Sequence, residues 1–199
     1  VIDASGSMNG PPLAAATEAT LRLARELPSS TRLTVVSFAH DIIVHADGLP
    51  LNQQGRREIQ SNLLSLETRG ATNLHAGWQT GCTLLAAETE HVTGRRKHVV
   101  VLSDGRAHQG VVEPEQLGPQ ARAQLDRGVT TSGVGVGDHY SPTQRSALAE
   151  HGGGALHDAV GAAEIVEILL GEVRSLTGDT SPPVESVCPA SHPALTGLS

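Results

Sequence analysis

Short apolar, β-rich runs alternate with helix-period segments along most of this chain, and that alternation limits the possible folds more than any other feature. Leu33-Thr34-Val35-Val36-Ser37-Phe38, Lys97 to Ser103, Val129 to Val136 and Ala155 to Asp158 read as strands. Leu13, Ala16, Thr17, Thr20, Leu21, Leu23, Ala24 and Leu27 recur at helical spacing after Pro11-Pro12, which predicts a helix with proline in its first turn, ending near Pro28. Arg56 to Leu66, Asn73 to Glu90, Pro114 to Arg127, Pro142 to His151 and Ala162 to Leu176 extend the helical series. Repeated strand-helix units build a mostly parallel sheet with helices on both faces, so the expected class is α/β and doubly wound. Ile42-Ile43-Val44 follows the turn Ala39-His40-Asp41, and this hairpin adds one antiparallel edge strand.

A chain of 199 residues is long enough for one domain with a sizeable core and too short for two of ordinary size. Residues 1–177 are expected to form the domain. After Gly178 the prolines leave no periodic pattern, and residues 178–199 read as a Pro/Ser-rich disordered tail. Val1 and Ile2 are the only apolar residues ahead of Asp3, whereas a central strand usually needs about five residues. The first strand is therefore expected to be truncated.

Aromatic residues make up 2% of the chain, so Val, Leu, Ile and Ala must build the core, and one Trp, one Tyr and one Phe argue against a stacking surface for single-stranded nucleic acid. A net charge of -7, with 14 Lys and Arg spread along the chain, also argues against nucleic acid as a partner. No run approaches the ~18 apolar residues of a membrane span. Cys82 lies in an apolar helical stretch and Cys188 in the tail, too few for a disulfide framework. With little cysteine and no leader, a cytoplasmic location is expected.

The chemistry concentrates in three short segments. Val1-Ile2-Asp3-Ala4-Ser5-Gly6-Ser7 puts a carboxylate and two hydroxyls at alternate positions after a strand-like start. Gly70-Ala71-Thr72-Asn73-Leu74 offers a hydroxyl in a glycine-led turn, and Val99-Val100-Val101-Leu102-Ser103-Asp104-Gly105 ends a buried-type strand on a carboxylate. In doubly wound sheets ligands sit at the carboxyl ends of strands, where strand order reverses, and Asp3 and Asp104 both fall at such ends. Gly6 is read as a turn glycine, and Asn73 as the cap of the helix that follows it.

Asp3, Ser5, Ser7, Thr72 and Asp104 stand in the order of the metal-ion-dependent adhesion site of the von Willebrand factor A domain family, which the chain resembles from Val1 to Leu176. Thr72-Asn73-Leu74-His75-Ala76-Gly77 and Gly128-Val129-Thr130-Thr131-Ser132-Gly133-Val134-Gly135 look like bacterial members. The resemblance implies a Rossmann-like fold and a bound Mg²⁺, with Mn²⁺ as substitute. It also implies an open coordination position that captures an Asp or Glu of a partner protein, no catalysis, and coupling to movement of the last helix, here Ile165 to Leu176. Hydroxyls suit Mg²⁺ because they add ligands without charge and leave water to complete an octahedral shell.

Rival readings are weaker. A haloacid-dehalogenase-like phosphatase would use Asp3, Thr72, Lys97 and Asp104 in that order, but it needs a second Asp two residues after the first, where this chain has Ser5. Gly133-x-Gly135-x-Gly137 has the wrong spacing for dinucleotide binding and reads as a strand-end turn. Ten histidines show no His-x-x-x-His pair for zinc. The bland alternative is a structural subunit in which the metal only braces loops.

Overall fold

A computed structural model describes residues 1–87, 96–105, 107–136 and 143–177. The expected tail at 178–199, Cys188 and the end of the helix predicted over 73–90 lie outside the described residues.

The strands are β1 (Ile2–Asp3), β2 (Arg32–Phe38), β3 (Ile42–Pro50), β4 (Lys97–Ser103), β5 (Val129–Val136) and β6 (Gly153–Ala159), and they form one sheet in the order β3-β2-β1-β4-β5-β6. Among the described residues only β2 and β3 pair antiparallel; β1 runs parallel to β2 and β4, β4 to β5, and β5 to β6. Six α-helices connect them among the described residues: α1 (Pro11–Glu26), α2 (Gln53–Leu63), α3 (Leu74–Ala87), α4 (Pro114–Leu125), α5 (Thr143–His151) and α6 (Ala162–Thr177). The doubly wound class with one antiparallel edge is thus the observed one. β1 is short, pairing through Ile2 with Ser37 and Leu102 and through Asp3 with Phe38.

Strand alternation sorts the core onto the two faces of the sheet. Val99 and Val101 of β4 pack with Phe38, Trp78, Cys82, Leu117 and Leu148. Val100 and Leu102 turn the other way, toward Leu23, Ile165, Val166 and Leu169 on α1 and α6. Each such side chain contributes roughly 1.5–3 kcal/mol by burial. Cys82 is a buried free thiol, as its apolar setting suggested, and burial pushes its pKa up to about 12. The one tryptophan keeps its polar atom satisfied, with Trp78 Nε1 donating to Thr131 Oγ1 at 3.1 Å.

β3 extends to Pro50, well beyond the Ile42-Ile43-Val44 run. The turn-forming Asp47, Gly48 and Pro50 mask it in the sequence, yet the strand tolerates them because it lies at the sheet edge and carries a bulge opposite Leu33 to Val36, with Gly48 at φ 56°. Gly133 and Gly135 lie inside β5, within the strand read over Val129 to Val136, and pair with Val101 and Ser103 of β4, so the strand-end turn read for the Gly-x-Gly run does not include them. Among the described residues no helix is long and apolar enough to cross a membrane.

Candidate metal centre

Strand order reverses between β1 and β4, because the chain moves outward through β2 and β3 on one side and through β5 and β6 on the other. Asp3 ends β1 and Asp104 directly follows β4, so the two carboxylates flank the crevice where doubly wound sheets take ligands.

Hydrogen bonds link four of the expected donors into one chain. Asp3 Oδ1 accepts from the Ser5 amide at 2.8 Å. Ser5 Oγ and Ser7 Oγ are 3.2 Å apart, and Ser7 Oγ donates to Asp104 Oδ1 at 2.9 Å. Asp3 and Ser5 are buried, whereas Ser7 is exposed and Asp104 half-buried, so the set runs from the sheet out to the surface.

Thr72 arrives on a separate loop that the backbone sews to the other two. The Arg69 amide donates to Ala4 O at 2.6 Å and the Gly6 amide to Gly70 O at 3.1 Å. On the far side, the His108 and Gln109 amides donate to Thr72 O at 3.1 and 3.2 Å. Thr72 is 5% exposed. Asn73 caps α3 as expected, its Oδ1 accepting from the Ala76 amide at 3.1 Å, and so fixes the residue after Thr72. The sharp turns fall at Gly10 (φ 84°) and Gly70 (φ 37°). Gly6 opens a short 3-10 turn over Gly6–Met8, as expected of a turn glycine, but it adopts no positive φ and a Cβ there would stand 3.7 Å from Gly70 O, an ordinary contact.

Two residues outside the expected set complete the surroundings. Ser103 is fully buried and its hydroxyl donates to Asp3 Oδ2 at 2.5 Å. Arg145 of α5 donates from Nη1 to the Ser103 carbonyl. Ser103 was legible as the residue before Asp104; nothing in the sequence around Arg145 marks it. Burial raises the pKa of Asp3, and Asp104 adds to the rise, while hydrogen bonds from Ser103 and Ser5 restrain it. A carboxylate so placed gains from a cation.

The donors are all hard oxygens, two of them carboxylates, which suits Mg²⁺ or a similar divalent ion. Among the described residues no group of three or more His, Cys, Asp or Glu side chains could hold a metal, so any ion here depends on the hydroxyls. Lys97 begins β4 and Asp104 follows its end, about 23 Å away at 3.3 Å per residue, so Lys97 cannot act beside Asp3 as the phosphatase reading requires. A cavity of about 650 Å³ lined by Leu23, Val35, Val99 and Leu169 lies by the amino ends of β2 and β4, away from this centre.

Fold and site together define a doubly wound domain with a candidate oxygen-lined cation site at its switch point. Residues 1–161 match the von Willebrand factor type A domain, and the chain belongs to that family. Inter-alpha-trypsin inhibitor heavy chain H3 of Bos taurus is 27% identical over 158 residues, covering 76% of this chain and 18% of the relative, so the chain spans under a fifth of that protein. Among solved structures, a von Willebrand factor type A protein from Catenulispora acidiphila superposes with TM-score 0.75 at 21% identity, covering 89% of this chain and 41% of that one. Proximal thread matrix protein 1 from the mussel byssus, solved with a zinc-occupied MIDAS motif, gives TM-score 0.66 at 18% identity, covering 88% and 46%.

Proposed function

We propose that this domain binds a divalent cation, Mg²⁺ with Mn²⁺ as substitute, through Asp3, Ser5, Ser7, Thr72 and Asp104, and that the ion's remaining position captures an Asp or Glu side chain of a partner protein. The reading rests above all on the continuous hydrogen-bonded chain from Asp3 through Ser5 and Ser7 to Asp104 across the switch point. The neighbour with a zinc-occupied MIDAS motif supports metal binding on this fold. A carboxylate brought to such an ion gains a charge-assisted bond far stronger than a neutral contact.

Recognition is favoured over bracing because the loops are already joined without an ion. The bonds Ala4 to Arg69, Gly6 to Gly70, and Thr72 to His108 and Gln109 hold the three segments in place by backbone alone. Ser7, Gly6, Gly70 and His108 are exposed around the donors and leave a surface that a partner can approach. Calorimetric titration with MgCl₂ and MnCl₂ tests the metal, and capture of partners with and without chelator tests its use. Asp3→Ala should abolish both; partner affinity that survives in Asp3→Ala or in chelator rules the mechanism out.

A further inference from the structure

β1 fills only part of the space between its neighbours. Ile2 stands opposite Ser37 of β2 and Leu102 of β4, yet both of those strands begin several residues earlier, at Arg32 and Lys97. Continued backwards from Val1 in the same parallel register, β1 has places opposite Val35, Thr34 and Leu33 on one side and Val100, Val99 and His98 on the other, and no strand occupies them among the described residues. The cavity of about 650 Å³ lies there. The Leu102 amide donates to Val1 O at 2.8 Å, so the Val100 amide and the His98 carbonyl, on the same edge of β4, face into it.

The cavity has apolar walls on both faces of the sheet. Ile2 turns toward Leu23 and Leu169, and Val1 toward α3, where a Cβ on Gly81 would come within 2.8 Å of Val1 Cγ2. By alternation the place before Val1 faces Leu23, Leu27, Leu169 and Val173, the next faces Gly81 and Leu85, and the third returns to the α1 and α6 side. A strand covered on both faces reads as an unbroken apolar run, so this slot selects one. The Val1 amino group donates to Val100 O at 2.8 Å, and burial lowers its pKa to about 5. A peptide nitrogen in its place makes the same bond with no charge to desolvate.

We propose that the space between β2 and β4 is a strand-binding slot, and that its occupant is an extended segment of apolar residues joined ahead of Val1, which completes β1 as the central strand. A fatty chain would cover the apolar walls but leave the Val100 amide and the His98 carbonyl unanswered, whereas an extended peptide answers both walls and backbone.

The test compares the unaltered chain with chains that carry Val-Ile-Val, Gly-Ser-Gly or Val-Pro-Val ahead of Val1, by urea unfolding and by amide exchange. Val-Ile-Val should raise the urea midpoint and slow exchange at Val100 about tenfold relative to Val101, whose amide faces β5. Gly-Ser-Gly should do less on both counts. Val-Pro-Val places a residue without an N–H opposite His98 and should leave Val100 unprotected. Equal midpoints and equal exchange in the unaltered and Val-Ile-Val chains overturn the proposal. Equal protection by Val-Pro-Val does so too, because the slot then takes apolar matter without strand pairing. Laurate that stabilises the unaltered chain as much as Val-Ile-Val does would make the occupant a lipid, and protection of Val100 that grows with protein concentration in the unaltered chain would make it a second copy; either result also overturns it.

Discussion

The Ser103 hydroxyl donates a 2.5 Å hydrogen bond to Asp3 Oδ2 across the point where the sheet reverses direction. Both residues are fully buried, and the bond ties the end of β4 to the end of β1 directly beneath the candidate ion site. Asp3 spends its other oxygen, Oδ1, on the Ser5 amide, so the carboxylate is oriented from both sides.

Ser103→Ala removes one of those two supports and leaves a buried carboxylate oxygen unsatisfied. A cost of about 1–3 kcal/mol is expected, read as a lower urea midpoint, together with weaker Mg²⁺ uptake in calorimetry. An unchanged midpoint would mean that the bond contributes nothing to holding Asp3.

Gly77 tests how tightly α3 must lie against β2. A Cβ at this position would meet Phe38 Cβ at 2.5 Å and Phe38 Cγ at 2.6 Å, and the Phe38 ring is fully buried and has nowhere to retreat. Phe38 pairs with Asp3 across β1 and β2, and α3 directly follows the Thr72 loop. Gly77→Ala should therefore cost about 1–3 kcal/mol by overpacking and weaken metal affinity as well, through a shift of the Thr72 loop. Thermal unfolding and titration with MnCl₂ check the two effects separately.

Much of this arrangement was legible because its signals are local. Short apolar, β-rich runs marked β4 and β5 to the residue, and alternation put Asp3, Ser5 and Ser7 on one short loop. What escaped depends on contacts far apart in the chain. The extra length of β3 is set by pairing with β2 and overrides the turn-forming Asp47, Gly48 and Pro50. Gly133 lies close against α5 and β6, where a Cβ would stand 3.1 Å from Arg145 Cβ and 3.0 Å from Leu156 Cδ1, a contact that no local pattern in β5 encodes. Arg145 itself looks like any solvent-facing helical arginine until the fold places it behind Ser103.

Glu172 fixes α6 to three strands at once. Its carboxylate accepts from Ser132 Oγ at 3.0 Å and His157 Nε2 at 2.6 Å, and lies 3.3 Å from His98 Nε2. Glu172→Ala strips a shared partner from buried polar groups, and a loss of about 2–3 kcal/mol is expected. Amide exchange should quicken along Ala162–Thr177 before it does in β4. The same measurement with and without Mg²⁺ tests whether α6 responds to the metal centre, and equal protection in both conditions would exclude such coupling.

Two histidines contribute to the response to acid. His98 is held below its ordinary value first by burial, with Glu172 pulling the other way, while its Nδ1 pairs with Thr130 Oγ1 at 2.7 Å. His45 is also lowered first by burial and then by Arg69, and its Nε2 pairs with Ser37 Oγ at 2.8 Å. The folded chain therefore binds these two protons more weakly than the unfolded chain, whose histidines titrate near 6.5. Their contribution to stability is complete above that value and is lost progressively as pH falls below it, until the folded-state values are passed. Measured in chelator, so that metal release plays no part, the histidine share of the urea midpoint, read as the difference between the unaltered chain and its histidine variants, should hold steady from about pH 8 to 7 and drop between about pH 6.5 and 5. His98→Gln and His45→Gln should each make that decline shallower, because each removes one proton that only the unfolded chain takes up readily. A decline just as steep in both variants would place the acid sensitivity in other groups.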